Sequence, residues 1–278
     1  MPSMPDSAIV KRKPTAGRQI NKGLLANSPS PAQRGRVRGG GNGLLAKPPA
    51  PAPRTSGGDA RPTKRQLSFR RVYDALYAEH GPQHWWPGDT AFEIMVGAVL
   101  TQNTAWINVE RAIANLKQAQ ALTPEAIVAA HPKRLAKWLK PSGYFNVKAK
   151  RLRAFCRWLI AQGGVARLAP LPTETLRARL LAVHGIGPET ADDILLYAFE
   201  RPVFVIDAYT RRIFQRLGAI VGNEDYETLR LKFERALGPD TALFNEYHGL
   251  IVRQGKDVCR TRPRCAQCTL ASMCMTCP

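Results

Sequence analysis

Aromatic residues are missing from the first 65 positions of this 278-residue chain, and acidic residues are nearly so, with only Asp6 and Asp59. A segment that poor in apolar bulk cannot bury enough surface to offset the entropy of ordering, so residues 1–65 are expected to be disordered. A run of about 18 apolar residues, as a membrane-spanning helix needs, occurs nowhere, so no span and no membrane partner are expected. No apolar stretch follows Met1, which speaks against a secretory leader. Cysteine is almost absent outside one short stretch: five of the six lie between Cys259 and Cys277, and only Cys156 lies elsewhere. A disulfide framework would be spread across a fold, so this crowding indicates a local thiol cluster in an intracellular protein. Strand-like alternation is scarce as well. Val203-Phe204-Val205-Ile206 is a β-branched run with nothing to pair with.

What the chain has in excess is positive charge, 41 Lys and Arg against 21 Asp and Glu, a formal +20. Residues 1–65 alone contribute +11, with 10 of the 22 prolines. Such an excess favours a polyanion through release of counterions from phosphates, and nucleic acid is the first partner to consider. The tail is either an inert linker or a basic arm that raises DNA affinity. Its Arg-rich, acid-poor composition is also compatible with organelle targeting, the alternative to a cytoplasmic, nucleoid-associated location.

From about residue 66 the pattern is helical. Thr90-Ala91-Phe92-Glu93 reads as a capping box ahead of the apolar Ile94, Met95, Val96, Val99 and Leu100. Thr123-Pro124-Glu125 combines an N-cap, Pro at the first helical position and a first-turn acid. A helix from about Asp225 stops at Gly238-Pro239. The fold class is all-α.

Gly185-Ile186-Gly187, between an apolar helix end and Pro188, permits a tight turn and a close backbone approach, with free N–H groups at the next helix start. That arrangement suits a phosphate contact that carries no sequence information, though a plain helix–helix connection has the same pattern. Further on, Asp207 follows the apolar run and precedes a helix through Ile213, Phe214 and Leu217. An Asp there is a plain N-cap at the least. It is also held ionised by the helix dipole, as a group must be that stabilises positive charge on a sugar or orients water against it.

Gly185-Ile-Gly-Pro-Glu-Thr-Ala followed by Val205-Ile-Asp207 resembles the helix-hairpin-helix and Gly/Pro-rich loop of the endonuclease III superfamily of DNA glycosylases. Gly97-Ala-Val-Leu-Thr-Gln102-Asn-Thr is similar to that family's first core helix, and Gly143-Tyr-Phe-Asn-Val-Lys148-Ala to its segment before the hairpin. The resemblance spans residues 66–276. It implies a two-lobed helix-hairpin-helix DNA glycosylase fold, with a six-helix lobe over 83–201 and a second lobe made of 66–82 plus 202–278. It further implies Asp207 as the catalytic carboxylate, with Gln102 beside the gap left by an extruded base, and Gly185, Gly187 and Lys148 on DNA. Endonuclease III carries a lysine two residues past the second hairpin glycine, whose amine attacks the sugar and cuts the strand. Here that residue is Glu189, which cannot form a Schiff base. The expectation is a monofunctional glycosylase acting with water, in which Glu189 is either a second catalytic group or a first-turn helix acid; Lys148 and Lys256 are the lysines that could still support lyase chemistry.

Three of the five tryptophans, Trp85, Trp86 and Trp106, flank the first core helix. Trp106 shares helical spacing with Val109 and Ile113, which fits a core position; two adjacent tryptophans before Pro87 are harder to bury together. A base-excising enzyme holds its flipped target against aromatic faces, so Trp85, Trp86 and Trp106 form a candidate base pocket. Trp-Trp-Pro with an aromatic after Leu-Thr-Gln-Asn-Thr resembles the 3-methyladenine DNA glycosylase III branch, which implies an alkylated, cation-like base.

Cys259, Cys265, Cys268 and Cys274 fall within sixteen residues, a density that suits zinc or an iron-sulfur cluster. The pattern resembles the 4Fe-4S loop of endonuclease III, one residue shorter in its first gap, and implies a C-terminal iron-sulfur loop; Cys277 is read as a spare thiol and Cys156 as core. The sequence therefore points to hydrolytic removal of a damaged base from double-stranded DNA in base excision repair, by a monomer. Two rivals remain open: a bifunctional glycosylase/AP lyase acting on oxidised pyrimidines, and a non-catalytic DNA-binding iron-sulfur protein.

Overall fold

The computed structural model describes residues 67–277; the expectations for the basic tail lie outside them. Twelve α-helices were found among the described residues, and no strand. Val203–Ile206 is extended but pairs with no other chain segment. Its amides are met by side chains instead, Phe204 N–H donating to Glu234 Oε1 (3.0 Å) and Ile206 N–H to the Tyr226 hydroxyl (3.3 Å). Buried N–H groups need a partner, and here the helix packed alongside supplies it.

Helix starts follow the sequence closely. Thr90 caps α2 (Ala91–Leu100) through Oγ1, which accepts from Glu93 N–H at 3.1 Å. Glu93 reaches back one residue further than a capping box requires, to Asp89 N–H at 3.2 Å, because its other oxygen is held by Lys117 at 2.6 Å. Thr123 caps α4 (Pro124–Ala129), and Asp225 caps α11 (Tyr226–Leu237), which ends at Gly238 with φ +77°.

Two apolar cores lie side by side. The first surrounds α2, whose Met95, Val96, Val99 and Leu100 are fully buried, and takes in α3 (Trp106–Gln118), α4, α5 (Pro132–Leu139), α6 (Phe145–Ala161), α7 (Val165–Leu168), α8 (Thr173–Leu181) and α9 (Pro188–Asp193). The second gathers α1 (Phe69–His80), α10 (Ala208–Arg216), α11 and α12 (Thr241–Asp257) around stacked rings, with Phe204–Phe233 and Phe69–Phe233 centroids 4.5 Å apart. A π-helical turn, Ile194–Ala198, continues α9 and joins the cores: Ile194 and Leu195 enter the first, Leu196 and Tyr197 the second. π-turns recur at functional sites because the extra residue re-aims the side chains that follow. Trp86 packs against both cores. No helix among the described residues is long and apolar enough to cross a membrane.

Candidate active site

Asp207 is the N-cap of α10, as its position before an apolar-periodic helix predicts. Oδ1 accepts from Thr210 N–H (2.6 Å) and from the Thr210 hydroxyl (2.7 Å), while Oδ2 faces His248 Nε2 at 3.7 Å. Burial, the largest influence, opposes ionisation, but the His248 and Thr210 contacts outweigh it and hold the carboxyl below its usual range. The residue is 9% exposed, so the charge is sheltered but reachable.

The segment that delivers Asp207 is anchored from α11 by an ionic scaffold. Arg177 on α8 pairs with Asp192 (2.7 Å) and Glu227 (2.5 Å); Arg230 pairs with Glu227 and Glu234, both at 3.0 Å. Glu234 and Tyr226 are the two residues that receive the amides before Asp207.

The Gly185–Gly187 turn ends two residues before Glu189, whose carboxyl senses Asp207. Gly185 has φ +87°, and a Cβ there would come within 2.3 Å of Arg151 Cγ, so both conformation and space demand glycine. Gly187 is extended, with nothing within 4 Å of where its Cβ would stand, and its carbonyl opens α9. Gln102 Nε2 donates to Gly185 O (3.2 Å) and Thr190 Oγ1 (2.9 Å), and Gln102 Oε1 accepts from Arg151. Gln102, Arg151 and the turn are thus one stitched surface drawn from three separate segments.

On the helix that follows, Glu189 and Asp193 stand one turn apart and both sense Asp207. Glu189 is an exposed residue with protein packed around its carboxyl. That desolvation, with the Asp207 charge next, pushes its carboxyl up to about 7 despite His248 and Arg211. Asp193 is raised well above the carboxylate range, again by burial first and then by Glu189 and Asp207, and its Oδ1 has no hydrogen-bond partner. Neighbouring carboxyls with protonation states pushed apart are a signature of acid and base roles.

Beside this cluster the rings of Trp85, Trp86, Trp106 and Tyr197 form an aromatic box. Trp86 lies 5.5 Å from Trp85, 5.0 Å from Trp106 and 4.9 Å from Tyr197, centroid to centroid. Trp85 and Trp86 are joined by a cis peptide bond. Two glycines leave them room: a Cβ on Gly97 would meet Trp86 Nε1 at 3.1 Å and Trp106 at 3.3 Å, and one on Gly249 would meet Trp85 Cβ at 3.0 Å. The Trp85 indole N–H faces the Tyr197 hydroxyl, while that of Trp86 is buried without an acceptor, which leaves the box a donor to offer. Val109 and Ile113 are buried in the first core, whereas Trp106 is only half-buried, its ring in the box and its N–H on Glu110 Oε1 at 2.9 Å.

Lys148 corrects an expectation. It is 2% exposed, and its Nζ donates to Leu100 O (2.9 Å) and Ser142 O (2.6 Å), closing the last carbonyls of two helical segments. The ammonium is thus held inside the lobe and is not offered at the surface where a DNA contact was expected. Burial and the nearby Arg151 lower it to about 8. Sequence reasoning also missed Asp193, Tyr197, Thr210 and His248. The first two share a face of the hairpin helix with Glu189, a spacing visible in the sequence; nothing local marks His248.

Cys259, Cys265, Cys268, Cys274 and Cys277 line one small solvent-open pocket. N–H groups aim at sulfur: Arg216 Nη1 at Cys259 Sγ and Gln254 Nε2 at Cys268 Sγ, both 3.2 Å. Among the described residues no three Cys, His, Asp or Glu are gathered tightly enough for a single metal ion. A tetrahedral zinc with Zn–S of about 2.3 Å would draw its sulfurs to about 3.8 Å from one another; a four-iron cubane holds them further apart.

Residues 96–239 match the family described as the HhH-GPD superfamily base excision DNA repair protein. A protein of Methanocaldococcus jannaschii, provisionally named a DNA repair glycosylase, is 42% identical over 209 residues, 74% of this chain and 95% of its own length. Endonuclease III of Thermotoga maritima is 29% identical over 184 residues, 66% of this chain and 82% of its own. The solved structure of the H. pylori 3-methyladenine DNA glycosylase bound to 1,N6-ethenoadenine shares 31% identity at a TM-score of 0.60, over 68% of this chain and 98% of that one.

Proposed function

The chain belongs to the HhH-GPD superfamily of base excision DNA repair proteins and is a DNA glycosylase; we propose that it hydrolyses the N-glycosidic bond of a damaged base in duplex DNA, with Asp207 as the charged catalytic group and Glu189 as its protonated counterpart. The observation that carries this reading is the Asp207 carboxyl, held at the start of α10 by Thr210 and faced by His248, with Glu189 near enough to sense its charge and an aromatic box beside it. As the C1′–N bond breaks, its electron pair leaves with the base and positive charge builds on the sugar. Asp207 stabilises that charge and orients the water whose oxygen bonds C1′, and the water's proton passes to the carboxylate or to solvent. Glu189 donates a proton to a departing base that carries no positive charge of its own.

The flipped base sits among Trp85, Trp86, Trp106 and Tyr197. Electron-rich indoles favour a cationic ring, so an alkylated purine is the preferred lesion, in line with the substrate named for the H. pylori relative. Gly185 and Gly187 present N–H groups to a backbone phosphate, and Gln102 borders the same surface. With Glu189 at the hairpin position and Lys148 withdrawn, the product is an intact abasic strand. Cys259, Cys265, Cys268 and Cys274 fit a 4Fe-4S cluster, in thiolate chemistry and in the N–H groups directed at their sulfurs. Such a cluster would supply a cross-link that shapes the C-terminal loop; iron and sulfide content with a visible charge-transfer band distinguishes it from colourless zinc.

The test is incubation with duplexes bearing alkylated, deaminated or oxidised bases, with and without alkali. Base release with strand breaks only after alkali supports the proposal, and breaks without alkali favour the lyase reading. Asp207→Asn keeps an N-cap but loses the charge, and is expected to lose about 1,000-fold in single-turnover rate.

A further inference from the structure

Between the aromatic box and Asp207 stand two residues that no motif picks out. Tyr197, on the π-helical turn, packs its ring on Trp86 at 4.9 Å and brings its hydroxyl to His248 Nδ1 at 2.5 Å. His248, on α12 and 4% exposed, turns its other nitrogen toward Asp207 Oδ2 at 3.7 Å. That nitrogen is buried and has no hydrogen-bond partner. The neighbouring Gly249 lets Trp85 press on the same helix, so one element sets both a box ring and the imidazole.

We propose that His248 is a positioning residue of the glycosylase reaction, clamped by Tyr197 so that its Nε2–H points at Asp207 and ties the placement of that carboxylate to the aromatic box. The inference rests on the assignment of Asp207 above. Its direction follows from proton bookkeeping. If the imidazole is neutral, the Tyr197 O–H donates and Nδ1 accepts; if it is protonated, both nitrogens donate, and in either state a proton stands on Nε2. A neutral imidazole that accepts at Nδ1 carries its proton on Nε2, and there the facing group is an ionised carboxylate. The 3.7 Å separation is too long for a hydrogen bond; catalytic contacts of this kind are often long in the free enzyme and tighten with substrate, here to about 2.8 Å. Oδ1 is already taken by Thr210, so Oδ2 is the oxygen left to face the sugar, and His248 governs its direction. The charged and titratable groups facing the imidazole are Asp207 at the start of α10, Tyr197 from the π-turn and Glu189 from α9, and next to these stand Asp193 on α9, Arg211 on α10 and Glu246 on α12 itself.

The experiment compares His248→Leu, His248→Gln and Tyr197→Phe with the wild-type full chain. It reads single-turnover rate across pH, affinity for undamaged duplex, and thermal melting. His248→Leu is expected to lose about 100-fold in rate at unchanged DNA affinity, as a misdirected catalytic group does. The acid limb of its profile should move to higher pH, because Asp207 has lost the partner that favours its charge. His248→Gln, which can place an N–H near the same oxygen, should recover several-fold over His248→Leu. Tyr197→Phe keeps the ring on Trp86 and deletes only the clamp, and should show a smaller loss with the same direction of pH shift. Wild-type rates and pH profiles in both His248→Leu and Tyr197→Phe would overturn the proposal, as would losses that follow melting temperature alone with no recovery in His248→Gln. Asp207→Asn is run alongside: full activity in that variant would sink the wider reading, whereas an inactive Asp207→Asn beside unaffected His248 variants sinks only this one.

Discussion

Asp192 and Asp193 are consecutive on α9 and both are buried, at 0% and 6% exposure, yet they face opposite electrostatic settings. Asp192 turns toward α8 and α11, where Arg177 grips both of its oxygens at 2.7 and 3.1 Å. Burial still raises it to about 6, but Arg177, Tyr226 and Arg230 keep it from rising further. Asp193 turns toward Glu189 and Asp207, with no cation among the groups that perturb it, and stays protonated. One side of the helix is built to hold charge in place for stability. The other gives Asp193 no counter-charge and leaves it beside two further carboxyls, the kind of setting in which perturbed protonation accompanies a functional site.

The sharpest way to break this contrast is to remove the cation from the paired side. Arg177→Met should destabilise the protein by about 3 kcal/mol at neutral pH, because Asp192 is left as a buried charge. Losing Arg177 raises the folded pKa of Asp192 further, so the deficit should shrink as pH falls and Asp192 protonates; thermal melts at pH 5 and pH 8 check the sign. On the other side, Glu189→Gln should slow excision of uncharged lesions by about 100-fold and leave cationic lesions nearly unaffected. Wild-type rate on uncharged lesions should decline as pH rises through about 7, where Glu189 gives up its proton, and that limb should vanish in Glu189→Gln. Trp86→Ala is expected to weaken binding of damaged over undamaged duplex by about 2 kcal/mol through lost stacking, read by competition titration. Asp193→Asn is read in stability alone. A carboxyl whose folded pKa lies above its unfolded one contributes stability at low pH and loses it as pH rises toward the folded value. The amide should therefore gain on wild type as pH rises from 4 to 8, which thermal melts at the two pH values check.

The parts of this site written in local sequence were legible. Thr90, Thr123, Asp207 and Asp225 announced helix starts through side chains that cap within three residues. Gly185 was legible because a positive φ and the press of Arg151 leave room for little else. What was not legible depends on distance along the chain. The Tyr197–His248 contact spans 51 residues and arises only because a π-turn rotates Tyr197 toward α12. Lys148 belongs to a motif shared with DNA-binding relatives, but whether its amine points out or caps carbonyls inward is decided by α2 and the 3₁₀ turn at Lys140–Ser142, neither of which its neighbours encode. The cysteines were plain in number and spacing, but spacing alone does not give the sulfur-to-sulfur geometry that separates one ion from a cluster.

The extended segment before Asp207 has a consequence for how the enzyme can be watched. Its amides at Phe204 and Ile206 are protected by two side chains of α11 and by no sheet ladder, so their exchange with deuterated solvent is governed by how often α11 lifts away. Those two amides are thus an internal gauge of the floor beneath the Asp207 carboxylate. If DNA clamps the two cores together, their exchange should slow without either residue touching the nucleic acid.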